Sequence, residues 1–411
     1  MQPAGRIAPQ PWMKAPATRA VFDALGATGA TARFVGGCVR DALIGRAITD
    51  IDIATDAVPD ATIAALREAG IKAVPTGLQH GTVTAVADGR PFEVTTLRRD
   101  VSTDGRHAEV AFTDDWRADA ARRDFTFNAL FLDPDGAYYD FFDGVPDLQA
   151  GRVRFVGDPA ARIAEDYLRI MRFFRFFAHY GQLAPDKAVL SVCRDAAPGL
   201  QRLSAERVRD ETLKLLAAPD PVAAWSYMQS VGVIACWYPR LTDHRRLARL
   251  CSIEEAIGRR DTLRRLAALD SGDAAQGREL AERLRLSNQQ RDRLAAMLAP
   301  LDGFSVGVSD KALRVFVYRR GRQRVVDQLL LRAAEAGFVD LSRLLPRIEW
   351  AENWQIPVLP VTGRDALNCG VPHGTAVGRA LAAVEAWWEA HDFAPDREAC
   401  LARLRALAEV G

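Results

Sequence analysis

Residues 33–53, Arg-Phe-Val-Gly-Gly-Cys-Val-Arg-Asp-Ala-Leu-Ile-Gly-Arg-Ala-Ile-Thr-Asp-Ile-Asp-Ile, read as a strand, a glycine turn, a short helix and a second strand ending in two carboxylates. The short run Arg33 to Val35 meets Gly36-Gly37, and Cys38 to Ile44 then has the spacing of one or two helical turns before Gly45 stops it. A glycine pair opening a helix suits an anion. Without Cβ atoms the backbone approaches a phosphate closely, and the free N–H groups of the first turn point at it. Arg40 lies in that turn and can supply counter-charge. Over Thr49 to Ala54, strand period two puts Asp50 and Asp52 on one face and Ile51 and Ile53 on the other, towards a core. Carboxylates about 7 Å apart along a strand can share divalent metal. Magnesium takes one or two carboxylates together with substrate phosphates, so a phosphate cradle followed by paired carboxylates is a layout for nucleotide chemistry assisted by two metals. Taken singly, a Gly-Gly turn and a solvated Asp-x-Asp are commonplace; their order and close spacing favour the metal reading.

With 411 residues the chain has room for two to four domains and a sizeable core. Its 54 basic and 53 acidic residues give no global field, so a nucleic-acid surface has to be a local patch. No apolar run approaches the roughly 18 residues of a membrane span, and the N-terminus lacks a secretory pattern. No membrane partner and a cytoplasmic location are therefore expected, and no protein partner is evident. The cysteines at 38, 193, 236, 251, 369 and 400 include no Cys-x-x-Cys, which argues against zinc and against a disulfide scaffold; they read as small buried hydrophobes. His391-Asp392 stands alone and reads as surface.

Residues 1–17, with prolines at 3, 9, 11 and 16, read as an irregular arm, followed by a helix over Thr18 to Leu25 with Thr18 as its cap. A helix from Pro59 to Ala69 and strands at Lys72 to Val74, Gly81 to Val86 and Phe92 to Leu97 imply an α/β sheet. Glu93 in the last of these is either a third metal carboxylate or an exposed strand residue. Residues 98–113, charged around Asp104-Gly105, read as a mobile loop closing over substrate or as a solvated hairpin. Arg122-Arg123-Asp124-Phe125-Thr126-Phe127-Asn128-Ala129-Leu130 opens a helix in which buried charge needs a partner, either a triphosphate or a structural Arg–Asp network. Asp140 to Leu148 reads as a turn-rich connector. One long amphipathic helix is expected over Pro159 to Tyr180, with Ile163, Tyr167, Ile170, Phe173, Phe174 and Phe177 forming the apolar stripe against Glu165, Asp166, Arg169, Arg172 and Arg175. A further helix starts at Ser204 with Arg207, Glu211 and Lys214 on one side, as bracing. The remainder is helical in pattern. Its basic clusters at His244-Arg245-Arg246, Arg259-Arg260, Arg264-Arg265 and Arg319 to Arg324 read mostly as solvated faces, with one or two able to meet a phosphate backbone.

With these residues the chain resembles the class II tRNA nucleotidyltransferases, the CCA-adding enzymes, and their relatives the bacterial poly(A) polymerases. Gly36 to Asp41 with Asp50-Ile51-Asp52 look like the family's first motif, Arg122 to Ala129 its second, and Asp143-Gly144 with Asp147 its third. Glu165-Asp166-Tyr167-Leu168-Arg169 looks like the base-reading Glu-Asp-x-x-Arg motif, and Arg207, Glu211 and Lys214 fit the fifth. The resemblance covers residues 20–220 strongly and the rest loosely. It implies an α/β nucleotidyltransferase head with a polymerase-β-like mixed sheet, followed by an all-α neck, body and tail. The expected boundaries are 1–17 for the arm, 18–150 for the head, 151–218 for the neck, 219–345 for the body and 346–411 for the tail.

The resemblance further implies Mg²⁺ held by Asp50 and Asp52, while Glu93 stays open between a third catalytic carboxylate and an exposed strand residue. It assigns nucleotide binding to Gly37, Arg40, one of Arg122 or Arg123, Asp166, Arg169, Arg172 and Arg175, and base recognition to Glu165, Asp166 and Arg169. The partners would be CTP, ATP and the 3′ end of tRNA in its acceptor arm. The chemistry of the bases supports this transfer. Cytosine and adenine both present an amino donor beside a ring-nitrogen acceptor, which a carboxylate and a guanidinium match, whereas guanine and uracil present the reverse order. Poly(A) addition on the same fold remains an alternative, disfavoured because the chain ends in Leu-Arg-Ala-Leu-Ala-Glu-Val-Gly without a long basic extension. Enzymes adding only CC or only A, and a non-catalytic RNA-binding module, also remain.

Overall fold

Residues 2–103, 108–337 and 340–410 are described by a computed structural model, in which the chain divides into two units, Met1–Thr242 and Asp243–Gly411. Among its described residues the first unit holds ten strands: β1 (Gly5–Arg6), β2 (Ala32–Val35), β3 (Asp52–Thr55), β4 (Lys72–Gly77), β5 (Thr82–Ala87), β6 (Arg90–Thr96), β7 (Arg98–Thr103), β8 (Ala108–Phe112), β9 (Leu130–Leu132) and β10 (Ala137–Asp140). Eight of them form one sheet in the order β1-β10-β9-β2-β3-β6-β5-β4, while β7 and β8 form a separate two-stranded sheet. The sheet is mixed because β3 runs parallel to β6 while β2–β3 and β5–β6 are antiparallel. Helices α1 (Pro16–Gly26), α2 (Gly37–Leu43), α3 (Pro59–Glu68), α4 (Trp116–Ala121) and α5 (Gly144–Gln149) accompany the strands. After them come α6 (Pro159–Glu165), α7 (Leu168–Tyr180), α8 (Lys187–Ala196), α9 (Ala205–Leu216), α10 (Val222–Ser230) and α11 (Val233–Trp237).

Strand alternation divides the centre of the sheet between two cores. Phe34 and Ile53 pack with Val21 and Leu25 of α1 and Leu66 of α3. Val35 and Ala54 face the other way, with Trp116 and Ala120 of α4 and Phe131 of β9. A strand buried on both faces has no place for a carboxylate except at its end, and Asp52 is the first residue of β3. The strand thus begins later than the sequence pattern predicts: Asp50 lies just before it and is exposed, with Thr49 Oγ1 donating to Asp50 Oδ2 at 3.1 Å.

Other expectations change where a tertiary contact overrides local pattern. The arm is not wholly irregular, since β1 pairs with β10 and Met13 is buried. Thr18 does not cap α1. The helix starts at Pro16, and the buried Thr18 hydroxyl donates to the Trp12 carbonyl at 2.8 Å. Between residues 98 and 112 the described strands are those of a hairpin; Asp104 to His107 lie outside the described residues. Arg122 to Leu130 does not open a helix but follows α4, with a 3₁₀ turn only at Thr126–Asn128 before β9. Asp140 to Leu148 contains α5, whose first amides are held by Asp140, donating to its two oxygens at 2.9 and 2.8 Å from Gly144 and Val145.

The long helix expected over Pro159 to Tyr180 is two helices. Asp166 breaks it, with φ −155° and ψ 107°, and its Oδ1 accepts the Leu168 N–H at 3.1 Å. A short acidic side chain competes for local backbone amides in this way and interrupts helix. Beyond the break, Ile170, Phe173, Phe174 and Phe176 of α7 are buried. Complete burial of such side chains contributes about 1.5–3 kcal/mol each. Their rings join a cluster with Phe125, Phe127 and Phe155, for example Phe125 and Phe176 at 5.2 Å between centroids. That cluster anchors α7 to the segment that follows α4, so the arginines of α7 have a fixed backbone.

The second unit is helical among its described residues, from His244–Ile257 to Arg397–Val410. Arg264 and Arg265, expected on a solvated face, are instead 4% and 0% exposed. They bind Glu254 at 2.8 and 2.7 Å, and Arg264 also reaches Asp327 at 3.0 Å. Arg246 of the His244-Arg245-Arg246 cluster is buried as well and pairs with Glu335 at 2.9 Å. Acidic residues up to tens of positions away make that burial tolerable, since a buried ion needs its partner close. All six cysteines are free, four of them buried, and His391 and Asp392 are exposed. Among the described residues no helix is long and apolar enough to cross a membrane.

Candidate active site

The glycine turn, the head of β3 and the arginine face of α7 meet around a cavity of about 510 Å³. Its walls include Gly36, Gly37, Arg40, Asp52, Arg123, Asp124, Asn128, Asp166, Arg169, Arg172, Arg175 and Arg207. Gly36 turns the chain from β2 into α2 at φ +70° and ψ −122°, a conformation open essentially to glycine alone. A Cβ there would also stand 3.6 Å from Arg123 Nη1. The turn therefore brings bare backbone next to a cation.

Arg40 is buried beside it. Its Nη1 donates to Asn128 Oδ1 at 2.7 Å, and its Nε and Nη2 donate to Asp41 at 3.1 and 2.9 Å. Arg122 and Arg123 separate in role. Both bind Asp119, at 2.7 and 2.8 Å, but only Arg123 lines the cavity. Burial raises the Asp119 pKa and the two guanidiniums outweigh it, holding that carboxyl below its ordinary range. Burial pulls Arg122 down to about 10. Thus Arg122 belongs to the structural Arg–Asp network and Arg123 to the cavity.

Asp52 carries the main electrostatic anomaly. Burial, then Glu93, then Asp50 push its carboxyl up to about 6, with Arg123 opposing. Glu93 is exposed and stands in register beside Asp52 on the parallel neighbour β6. Negative charge gathered with too little positive charge near it is what a divalent cation would relieve, so the residues present fit one. Among the described residues no three His, Cys, Asp or Glu side chains form a ready-made cage; the fit is to a site completed by phosphate oxygens.

Every arginine of α7 is braced. Arg172 donates through Nε to Asp124 Oδ2 at 2.7 Å, and burial of Asp124 is outweighed by Arg172, which keeps that carboxyl below its ordinary range. Arg175 ion-pairs with the buried Glu211 of α9 at 2.6 Å. Arg169 pairs with Glu165 and donates to the Arg162 carbonyl at 2.9 Å. Asp166 pairs not with Arg169 but with Arg207, at 2.6 Å. Asp166 and Arg169 are therefore held separately, from behind, and both edge the cavity. Glu165 does not line it; its place is behind Arg169. The bracing role read for Glu211 matches its position, and it makes a prediction: Glu211→Ala leaves Arg172 and Arg175 short of a partner and should lower stability by about 3 kcal/mol in urea unfolding. A change below about 0.5 kcal/mol would mean the arginines find other partners.

Asp124, Asn128 and Arg207 are cavity residues that sequence reasoning did not assign to the site. Asp124 and Asn128 lay within the quoted second motif, four apart, and Asn128 Nδ2 donates to Asp124 Oδ1 at 3.1 Å. Arg207 was read only as bracing beside Glu211 and Lys214; its place in the cavity wall gave no local signal, since its partner Asp166 is 41 residues away.

Comparison with known proteins bears on this arrangement. Residues 32–154 match the family model described as the poly A polymerase head domain, and residues 182–244 match the one described as a probable RNA and SrmB-binding site of polymerase A. The mitochondrial CCA tRNA nucleotidyltransferase 1 of Danio rerio is 34% identical over 387 residues, 90% of this chain and 86% of that protein. The CCA-adding enzyme of Levilactobacillus brevis is 31% identical over 89% of this chain and 91% of its own. The crystal structure of the Bacillus stearothermophilus CCA-adding enzyme in complex with CTP is similar with a TM-score of 0.77 at 27% identity, covering 98% of both chains.

Proposed function

The chain belongs to the family of CCA tRNA nucleotidyltransferases and poly(A) polymerases, and on that premise we propose that it adds C, C and A in turn to the 3′ end of tRNA. It would use CTP and ATP, release pyrophosphate, and read the incoming base with its own side chains. The observation that carries the reading is the single cavity in which a glycine turn and Asp52 face Asp166 and Arg169. Such a space takes a phosphate chain at one end and a base edge at the other.

In this reading Gly37 offers bare backbone to the triphosphate while Arg40, Arg123, Arg172 and Arg175 hold its oxygens. Asp166 accepts from the amino group of cytosine or adenine, and Arg169 donates to the neighbouring ring nitrogen. Glu165 keeps Arg169 in place. The 3′-hydroxyl of the RNA gives up its proton to solvent as its oxygen bonds to the α-phosphorus, the bond from that phosphorus to the bridging β-phosphate oxygen breaks, and the arginines receive the charge that leaves with pyrophosphate. Enzymes of this fold generally use divalent metal ions, and Asp50 and Asp52 are the residues that would hold Mg²⁺. Bound there, the ion supplies Lewis-acid charge neutralisation and lowers the pKa of the attacking hydroxyl. Glu93 stands close enough to Asp52 to tune it. The reading also places a head at 18–150, a neck at 151–218, a body at 219–345 and a tail at 346–411, the last two meeting RNA, and the enzyme in the cytoplasm.

The test is extension of tRNA lacking its last three nucleotides by the full chain with Mg²⁺ and CTP, ATP or both, followed by sequencing of the 3′ ends. Two C and then one A, with arrest there, is the expected product. Long A tails from ATP alone would move the chain to the poly(A) side of its family, and no extension with any nucleotide would end the catalytic reading.

A further inference from the structure

Tyr180 closes α7, the helix that carries Arg169, Arg172 and Arg175, yet it does not line the cavity. What it touches is the segment that does. Its Oη donates to Asp41 Oδ1 at 2.8 Å. The guanidinium carbons of Arg40 and Arg46 stand 4.2 and 4.4 Å from its ring centroid, and Arg46 Nη2 donates to the carbonyl of His179 at 2.8 Å. Residues of and just after the short helix α2 thus converge on the last two residues of α7.

Arg40 is where these contacts act. Asp41 takes its Nε and one Nη2 hydrogen, and Asn128 takes one Nη1 hydrogen, which commits three of the five N–H groups of a guanidinium. Its Nη2, with one hydrogen uncommitted among the described residues, stands 3.8 Å from where a Gly37 Cβ would stand, so that donor lies beside the glycine turn. Asp41 accepts from both Arg40 and Tyr180; the phenol therefore fixes the carboxylate that fixes the guanidinium, while the ring face attracts the same cation. Burial pushes the Tyr180 pKa up, and the phenol stays a donor at neutral pH.

We propose that Tyr180 is a positioning residue for Arg40: it sets where that guanidinium meets the nucleotide phosphates and ties the base-reading helix to the glycine turn at one spacing. The proposal rests on the nucleoside triphosphate reading of the cavity. Phenylalanine at 180 keeps the ring and loses the hydrogen bond to Asp41; leucine loses both.

The experiment uses the full chain as wild type, Tyr180→Phe, Tyr180→Leu, Arg40→Lys and the Tyr180→Leu/Arg40→Lys pair. KM and kcat for CTP and ATP are measured on tRNA, with CTP binding by equilibrium dialysis and thermal unfolding of each protein. Tyr180→Leu should raise KM for both nucleotides and weaken CTP binding about tenfold, with kcat changed less, and Tyr180→Phe should lie between it and wild type. In the Arg40→Lys background, where the fork geometry is already lost, adding Tyr180→Leu should cost less than about twofold. The same factor in both backgrounds, or unchanged CTP binding in folded Tyr180→Leu, overturns the proposal. Should the leucine variant not fold, the phenylalanine variant carries the comparison. A wild type that neither binds CTP nor extends RNA removes the underlying reading and this one with it; normal wild type and weakened Arg40→Lys beside an unaffected Tyr180→Leu removes only this one.

Discussion

Replacing Asp52 with alanine is expected to lower turnover on tRNA about 1000-fold while leaving the protein folded. A metal-held charge at the reacting phosphoryl group stabilises the transition state by several kcal/mol, and each 1.4 kcal/mol is a factor of ten in rate. The side chain sits at the mouth of β3 and lines the cavity. Ile53 and Ala54, which follow it, do the packing. Removing the carboxylate therefore takes away charge and not core. Single-turnover extension of tRNA with CTP measures the loss, and far-ultraviolet circular dichroism with thermal unfolding measures the fold. Retention of more than about a tenth of the activity would exclude Asp52 as the principal ligand.

The same residue makes a linked prediction about stability. Burial and the neighbours Glu93 and Asp50 raise the Asp52 carboxyl to about 6 in the metal-free protein, above its value of about 3.9 in an unfolded chain. The folded state then binds the proton more tightly than the unfolded state. Stability from this group must rise as pH falls from 7 through 6, and level off near 4. At pH 7.5 the ionised carboxylate costs on the order of 1–2 kcal/mol after allowance for its partial exposure. Asp52→Asn should therefore melt higher than wild type in EDTA at pH 7.5 and equally near pH 4. Added Mg²⁺ should raise the wild-type melting temperature and leave that of Asp52→Asn nearly unchanged. A wild type indifferent to both pH and Mg²⁺ would contradict the electrostatic account.

The glycine turn and the position of Asp52 were legible because their signals are local: a backbone that needs Gly36 at positive φ, and a strand whose alternation sends Ile53 one way and Ala54 the other; Asp50, expected on the same strand face, lies before the strand and outside the cavity wall. The arginines of α7 were legible for a related reason, since spacing on one helix brings 169, 172 and 175 to one side. The break at Asp166 was not legible. It depends on one carboxylate choosing between helix and the Leu168 amide, with Arg207 arriving from α9 to hold its other oxygen. Nor could the burial of Arg264 and Arg265 be read, because Glu254 and Asp327 make it tolerable from other helices. Residues 122–130 misled for the opposite reason. Their helical pattern is real in composition, but the chain there must pass from α4 to β9, and the 3₁₀ turn Thr126–Asn128 is what the connection leaves room for.

The break at Asp166 also fixes the second large effect. Asp166→Asn is expected to cut the discrimination of CTP against UTP about 100-fold, measured as the ratio of kcat/KM values on one tRNA acceptor. A carboxylate can only accept hydrogen bonds, so it matches the amino group of cytosine and meets the uracil carbonyl as one acceptor facing another, a cost of about 1–3 kcal/mol. Asparagine has one acceptor and two donors. In the protein both Asp166 oxygens already face donors, Arg207 Nη2 at 2.6 Å and the Leu168 N–H at 3.1 Å. The amide oxygen should stay with Arg207, the charged donor, so the NH₂ group replaces the oxygen that accepts the Leu168 N–H; that bond is lost at a cost of about 1 kcal/mol, and the NH₂ hydrogens turn towards a carbonyl that the native residue repels. CTP use should fall and UTP use should rise, the two changes together giving the factor. Asp166→Ala separates the causes: it should weaken CTP and ATP alike without admitting UTP. If Asp166→Asn loses activity on CTP and UTP in equal proportion, Asp166 holds the shape of the pocket and does not read the base.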